Sequence, residues 1–156
     1  MFNLDELNIH EVKTMKKSSV QVSDLMTSNP FTLQRNEQLT LADHVMKERG
    51  IRHLPVLDDD GRLCGILSQR DLFRGALMRN LGYGGNLAEK MLETMVTKEA
   101  MIRDVITTTP ATPIYEAAYT MMENKIGCLP VISNDELVGI LTEEDFVHWV
   151  AKQEDW

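Results

Sequence analysis

One passage occurs twice in this chain, and the repetition constrains the fold more than any other feature. Ile51 to Phe73 reads IRHLPVLDDDGRLCGILSQRDLF, and Ile126 to Phe146 reads IGCLPVISNDELVGILTEEDF. Leu54-Pro55-Val56-Leu57 answers to Leu129-Pro130-Val131-Ile132, and Gly65-Ile66-Leu67-Ser68-Gln69-Arg70-Asp71 to Gly139-Ile140-Leu141-Thr142-Glu143-Glu144-Asp145. The correspondence extends upstream: Met26, Ala42, Met46 and Pro55 recur as Met101, Ala117, Met121 and Pro130, all 75 residues on. After the polar turn the spacing becomes 74, as for Gly65 and Gly139, so the one length change falls in a turn, where change is tolerated.

Each copy reads as a hairpin feeding a helix. The short apolar runs LPVL and LCGIL, or LPVI and LVGIL, have strand length, and Asp58-Asp59-Asp60-Gly61 and Ser133-Asn134-Asp135 supply the turns. Ser68 or Thr142, with Asp71 or Asp145 three residues on, has the pattern of a hydroxyl cap followed by an acidic first-turn residue. Upstream, Phe31 to Gln34 is a candidate strand. Leu39, Ala42, Val45 and Met46 fall at helical spacing before a glycine stop at Gly50, as do Ile114, Ala117, Ala118, Met121 and Met122 in the second copy. Pro55 and Pro130, which lack an N–H, are expected at a strand start or edge, leaving the backbone at Ile51 to His53 and Ile126 to Cys128 free for a ligand. The pattern is strand, helix, strand, strand, helix in about 50 residues, which buries too little surface alone and must pair with its twin. The expected class is α+β with α/β-type layers, two intertwined β-α-β-β-α repeats making one domain. Leu4, Leu7, Val12 and Met15 suggest a packed helix in residues 1–21, and Gly82-Tyr83-Gly84-Gly85 breaks the chain between copies before a capping box at Asn86 to Glu89.

With 156 residues, 43% apolar content and a net charge of −8, the chain can build a core and is a poor match for nucleic acid. It has no apolar run of membrane-spanning length and no charged-then-apolar leader at Met1, so the cytoplasm is the expected location. Cys64 and Cys128 stand singly in strand slots and read as buried reduced thiols; His10, His44, His53 and His148 show no ligand spacing. No nucleophile–base pair or metal cluster is visible, which argues against an enzyme.

From Val22 to Val150, with both hydrophobic-Gly-Ile-Leu-[Ser/Thr]-x-x-Asp signatures and both Leu-Pro-Val strands, the chain resembles a tandem cystathionine-beta-synthase (CBS) domain pair, or Bateman module. The resemblance implies an N-terminal extension at 1–21, a first repeat at 22–80, a linker with a short helix at 81–96 and a second repeat at 97–156. It implies a regulatory module that binds AMP, ADP, ATP, NAD or S-adenosylmethionine in clefts between the repeats and signals to a partner protein not identified by the sequence. A ligand-free dimerisation module is the alternative. By the family's contact pattern Asp71 would take the ribose and Ser68 the helix-start anion, while Arg70, Arg52 and His53 face the phosphate and Ile51 borders the base. Thr112, Ala117, Ile126 and Gly127 of the other copy would frame the base; Thr142 and Asp145, with Glu37 and Ala42, would serve the second cleft. There Glu144 stands for Arg70 and Gly127-Cys128 for Arg52-His53, so phosphate is expected at the first cleft and an uncharged or cationic adenosyl group, or nothing, at the second. Apolar residues after each signature, Leu72, Phe73 and Leu77 and then Phe146, Trp149 and Val150, suggest a homodimer.

Overall fold

The computed structural model describes residues 20–79, 90 and 92–153. The helix expected in residues 1–21, apart from its last two residues, and the capping box at Asn86 to Glu89 lie outside them. The first repeat runs α1 (Val22–Leu25), β1 (Thr27–Ser28), β2 (Leu33–Gln34), α2 (Leu39–Arg49), β3 (His53–Leu57), β4 (Leu63–Ser68) and α3 (Gln69–Arg79). The second runs α4 (Thr97–Ala100), α5 (Ile114–Asn124), β5 (Cys128–Ser133), β6 (Glu136–Thr142) and α6 (Glu143–Ala151). Helix α2 buries Leu39, Ala42 and Met46, with Gly50 in the left-handed conformation that ends it. In α5 the buried stripe is Ile114, Ala117 and Met121; Met122, expected on the same face, is one residue past the stripe and half exposed.

Each β-hairpin belongs to its own repeat, but each repeat's leading segment belongs to the other. In one sheet β2 runs parallel to β3 and β3 antiparallel to β4; in the other β1, from the start of the first repeat, pairs antiparallel with β6 of the second. The reciprocal exchange is the antiparallel bridge between Ile102 and Ile66. The same exchange repeats at the helix starts, where Val22 N–H donates to Thr112 O at 2.9 Å and Thr97 N–H to Glu37 O at 2.8 Å. The two cores follow suit. Met95 joins Leu33, Leu39, Leu54, Val56, Leu67 and Leu72 in the first, and Val22 joins Ile114, Leu129, Val131 and Leu141 in the second. The strand glycines exist for this exchange: a Cβ on Gly139 would lie 2.6 Å from Met26 Sδ, and one on Gly65 would overlap Met101 Sδ.

Pro55 and Pro130 sit inside β3 and β5, buried, and not at a strand start. They cost no ladder bond. Ile66, opposite Pro55, exchanges its own hydrogen bonds with Ile102, so Pro55 presents its nitrogen to the β2 side, where β2 reaches only as far as Val56. The backbone upstream of them is less free than expected, because Arg52 O accepts from Gln69 N–H at 2.8 Å and Gly127 O from Glu143 N–H at 3.2 Å.

Candidate functional site

Each hydroxyl-x-x-aspartate motif closes the start of the helix that follows its hairpin. Ser68 N–H and Oγ–H both donate to Asp71 Oδ2, at 2.9 and 2.5 Å, and Asp71 N–H returns a bond to Ser68 Oγ at 3.2 Å. Thr142 repeats this on Asp145 Oδ2, at 2.7 Å from N and 3.0 Å from Oγ1. The capping reading of both motifs therefore holds. It also leaves an acceptor over, since every bond that either carboxylate accepts here falls on one oxygen, Oδ2.

Asp71 opens onto a cleft of about 630 Å³ between the two repeats, a size suited to a small ligand. Seven of the residues expected at a site converge on it: Arg52, His53, Ser68, Arg70 and Asp71 from the first repeat, Ile126 and Gly127 from the second. Ile51, Thr112 and Ala117 do not line it. Ile51 packs against the first core and Ala117 is buried in the second. Thr112 turns inward on its own loop, its Oγ1 accepting from Thr109 N–H at 3.3 Å, the place that Glu37 fills in the first repeat by accepting from Gln34 N–H. Thr142 and Asp145 cap α6 outside this cleft.

Two kinds of lining residue escape a sequence reading. Arg74 comes one helical turn after Arg70 on α3, and Lys125 ends α5, adding two cations to Arg52 and Arg70. Ile102, Val105 and Ile106, from the leading segment of the second repeat, add an apolar wall with Phe73. The spacing of Arg70 and Arg74 was a usable signal for the first; nothing in the local pattern marks the second, because it is the exchange of segments that brings it there. Against four cations stand Asp71, Asp104 and Glu143, so the formal charge is 4 − 3 = +1 in a chain of −8. None of the four cations pairs with a carboxylate among the described residues.

His53 stands where the repeats meet: a Cβ on Gly127 would be 3.3 Å from both Cε1 and Nε2 of its ring. Burial, and then the neighbouring Arg52, push its pKa below the usual histidine value, outweighing the opposite pull of Glu143 and Asp71. Its counterpart Cys128 is buried, and burial with the nearby Glu143 and Asp71 pushes the thiol up to about 12. That is a protonated, unreactive thiol. Burial raises Cys64 as well, and no group of three or more metal-ligating side chains occurs among the described residues. No helix among them is long and apolar enough to cross a membrane.

Comparison with known proteins agrees with this architecture. The CBS domain family pattern matches residues 22–77 and again 96–152. A solved Vibrio cholerae protein named for acetoin utilization, AcuB, is 38% identical with a TM-score of 0.74, over 86% of this chain and 94% of that one. The CBS domain pair of protein MJ0100, solved in complex with 5′-methylthioadenosine and S-adenosyl-L-methionine, is 28% identical with a TM-score of 0.71, over 85% and 96%. CBSX2, solved in complex with AMP, is 28% identical with a TM-score of 0.67, over 84% and 96%. The chain spans about half or less of the first curated relatives it matches, 48%, 25% and 23% of their lengths. With two family matches covering most of its length and the exchanged two-repeat fold in place, the chain belongs to the CBS domain family, as a tandem pair of these domains.

Proposed function

We propose that this chain is a non-catalytic regulatory module that takes an adenosine-containing ligand into the cleft of the first signature and passes its presence to a partner protein. One observation carries the reading: Ser68 and Asp71 of one repeat and the Ile126–Gly127 strand entry of the other face a single cleft of about 630 Å³. Asp71 Oδ1 is the natural acceptor for a ribose hydroxyl, since Oδ2 is committed to the cap. Ile106, Ile126 and Val105 offer apolar surface to a base, and Arg70 and Arg52 offer charge-assisted bonds to phosphate. AMP, ADP or ATP fits this distribution better than S-adenosylmethionine. At the positions that answer to Arg70 and Arg74 the second repeat has Glu144 and His148. That side suits an uncharged or cationic adenosyl group, the class represented in the MJ0100 complex.

A thermal shift panel of AMP, ADP, ATP, NAD, S-adenosylmethionine and adenosine tests the reading. A ligand at 100 times its Kd adds about 2.7 kcal/mol, which at this chain length moves the midpoint by roughly 5–10 °C. If no compound moves it, the ligand-free dimerisation module takes its place. The apolar side chains exposed on the helices support a homodimer under either reading: Tyr115, Tyr119 and Met122 stand at i, i+4 and i+7 on α5, and Val147 and Val150 are exposed on α6. Phe73 is 58% exposed, and the side chain of Leu77 lies outside the described residues. Sedimentation at micromolar concentration should show twice 17.8 kDa; a single species at 17.8 kDa ends that part of the proposal.

A further inference from the structure

We infer that Lys125 is the residue by which the cleft selects an anionic ligand, a phosphorylated adenosine over a neutral or cationic adenosyl compound. The inference deepens the proposed function and rests on it. Its starting point is a cost. Helix α5 ends in a left-handed residue, and that residue is lysine, at φ 52° and ψ 44°. Helix α2 ends in the same way at the position 75 residues earlier, at φ 63° and ψ 27°, and the residue there is Gly50. Glycine takes this conformation freely, whereas a side chain brings its Cβ against the neighbouring carbonyl. The turn itself does not ask for lysine. The N–H of Lys125 closes the helix on Met121 O and Met122 O, and Gly50 N–H does the same on Met46 O with no side chain.

Packing does not ask for it either. Lys125 is exposed and pairs with no carboxylate among the described residues. What sets it apart from Gly50 is its place: it lines the cleft beside Ile126 and Gly127, on the second repeat's wall, whereas Arg52, Arg70 and Arg74 belong to the first repeat. A phosphate in this cleft would have cations on both walls and join the repeats through charge. A cation at a helix C-terminus also complements the helix dipole, and that is the competing explanation. It predicts that removing the lysine leaves ligand affinity alone.

The test is Lys125→Gly in the full chain, measured by thermal melting without ligand and by titration calorimetry with AMP and with adenosine. Lys125→Asn, which tolerates the left-handed turn but has no charge, and Lys125→Arg, which keeps the charge, complete the set. We expect Lys125→Gly to melt about 2–4 °C higher than the parent chain, because the turn is relieved. AMP should bind about tenfold more weakly to the Gly and Asn variants and within threefold of the parent value to the Arg variant, while adenosine changes less than twofold. A parent chain that binds AMP and a Gly variant that binds it within twofold would overturn the role of Lys125 and leave the regulatory reading standing. A parent chain that binds no adenosine compound at all removes the regulatory reading, and this inference with it.

Discussion

The two repeats share a skeleton and differ in their chemistry. At skeletal positions the pairs are near-identities: Leu54 with Leu129, Val56 with Val131, Leu67 with Leu141, Gly65 with Gly139, Met26 with Met101. Around the shared hydroxyl and aspartate of the cleft the pairs diverge: Arg52 with Gly127, His53 with Cys128, Arg70 with Glu144, Arg74 with His148, Gly50 with Lys125. Positions that hold the exchange of segments are thus kept in both halves, and positions that meet solvent between the halves are free to specialise. The difference locates function more sharply than either repeat alone, because it subtracts what the fold requires from what the chain contains.

The comparison can be broken from its strongest side first. Leu54→Ala and Leu129→Ala both empty a fully buried site of one core, and each should cost about 2–5 kcal/mol, with values agreeing within about 1 kcal/mol, in urea unfolding. A gap of more than 2 kcal/mol would show that the halves are not energetic equals. Next comes the contrast between signatures. Asp71→Ala should weaken AMP at least tenfold in calorimetry, taking a charge-assisted bond as roughly 1.5–3 kcal/mol, and Asp145→Ala should weaken it less than threefold. The reverse outcome would move the phosphate site to the second repeat.

His53 and Cys128 give a subtler contrast, in acid. His53 is held neutral below its ordinary pKa, so the unfolded chain protonates first as pH falls. Stability is then full above pH 6.5 and is lost from there down through the lowered native value, with a slope of at most about 1.4 kcal/mol per pH unit. Cys128, at about 12, contributes nothing in that window. Chemical denaturation from pH 7.5 to 5 should show the slope in the parent chain and lose it in His53→Gln; an unchanged slope would assign it elsewhere. The smallest effect is in the turns. Asp135 adopts φ 63° where the first repeat has Gly61 at φ 77°, so Asp135→Gly should raise stability by a few tenths to about 1 kcal/mol, readable as a small rise in melting temperature. A fall instead would mean that the aspartate side chain contributes to the turn.

The hairpins, the helices after them and the pairing of copies were legible because period, turn residues and a fixed offset each leave a mark in sequence. That the repeats intertwine was expected too, but which segments cross was not, since β1 has two residues and a two-residue strand has no period. Met26 and Gly139 carried a trace of it, each recurring with its counterpart, but a methionine facing a glycine is visible only once their contact is seen. At the site, Ser68, Arg70 and Asp71 were legible as a contiguous motif. Ala117, buried and outside the lining of this cleft, shows that a buried helix position and a cleft position look alike in one sequence. Lys125 was missed because its meaning lies in backbone conformation, although its correspondence with Gly50 was there to be noticed.

The exchanged segments also set the order of events at the ribosome. The first core stays open until Met95 has been made, and β1, made long before, has no partner until Gly139 and Ile140 follow. At 5–20 residues per second that interval is on the order of ten seconds. Through it the nascent chain holds an unpaired strand and a half-covered core, so the first repeat cannot be released as a finished unit, and a gene cut between the repeats would encode two incomplete halves.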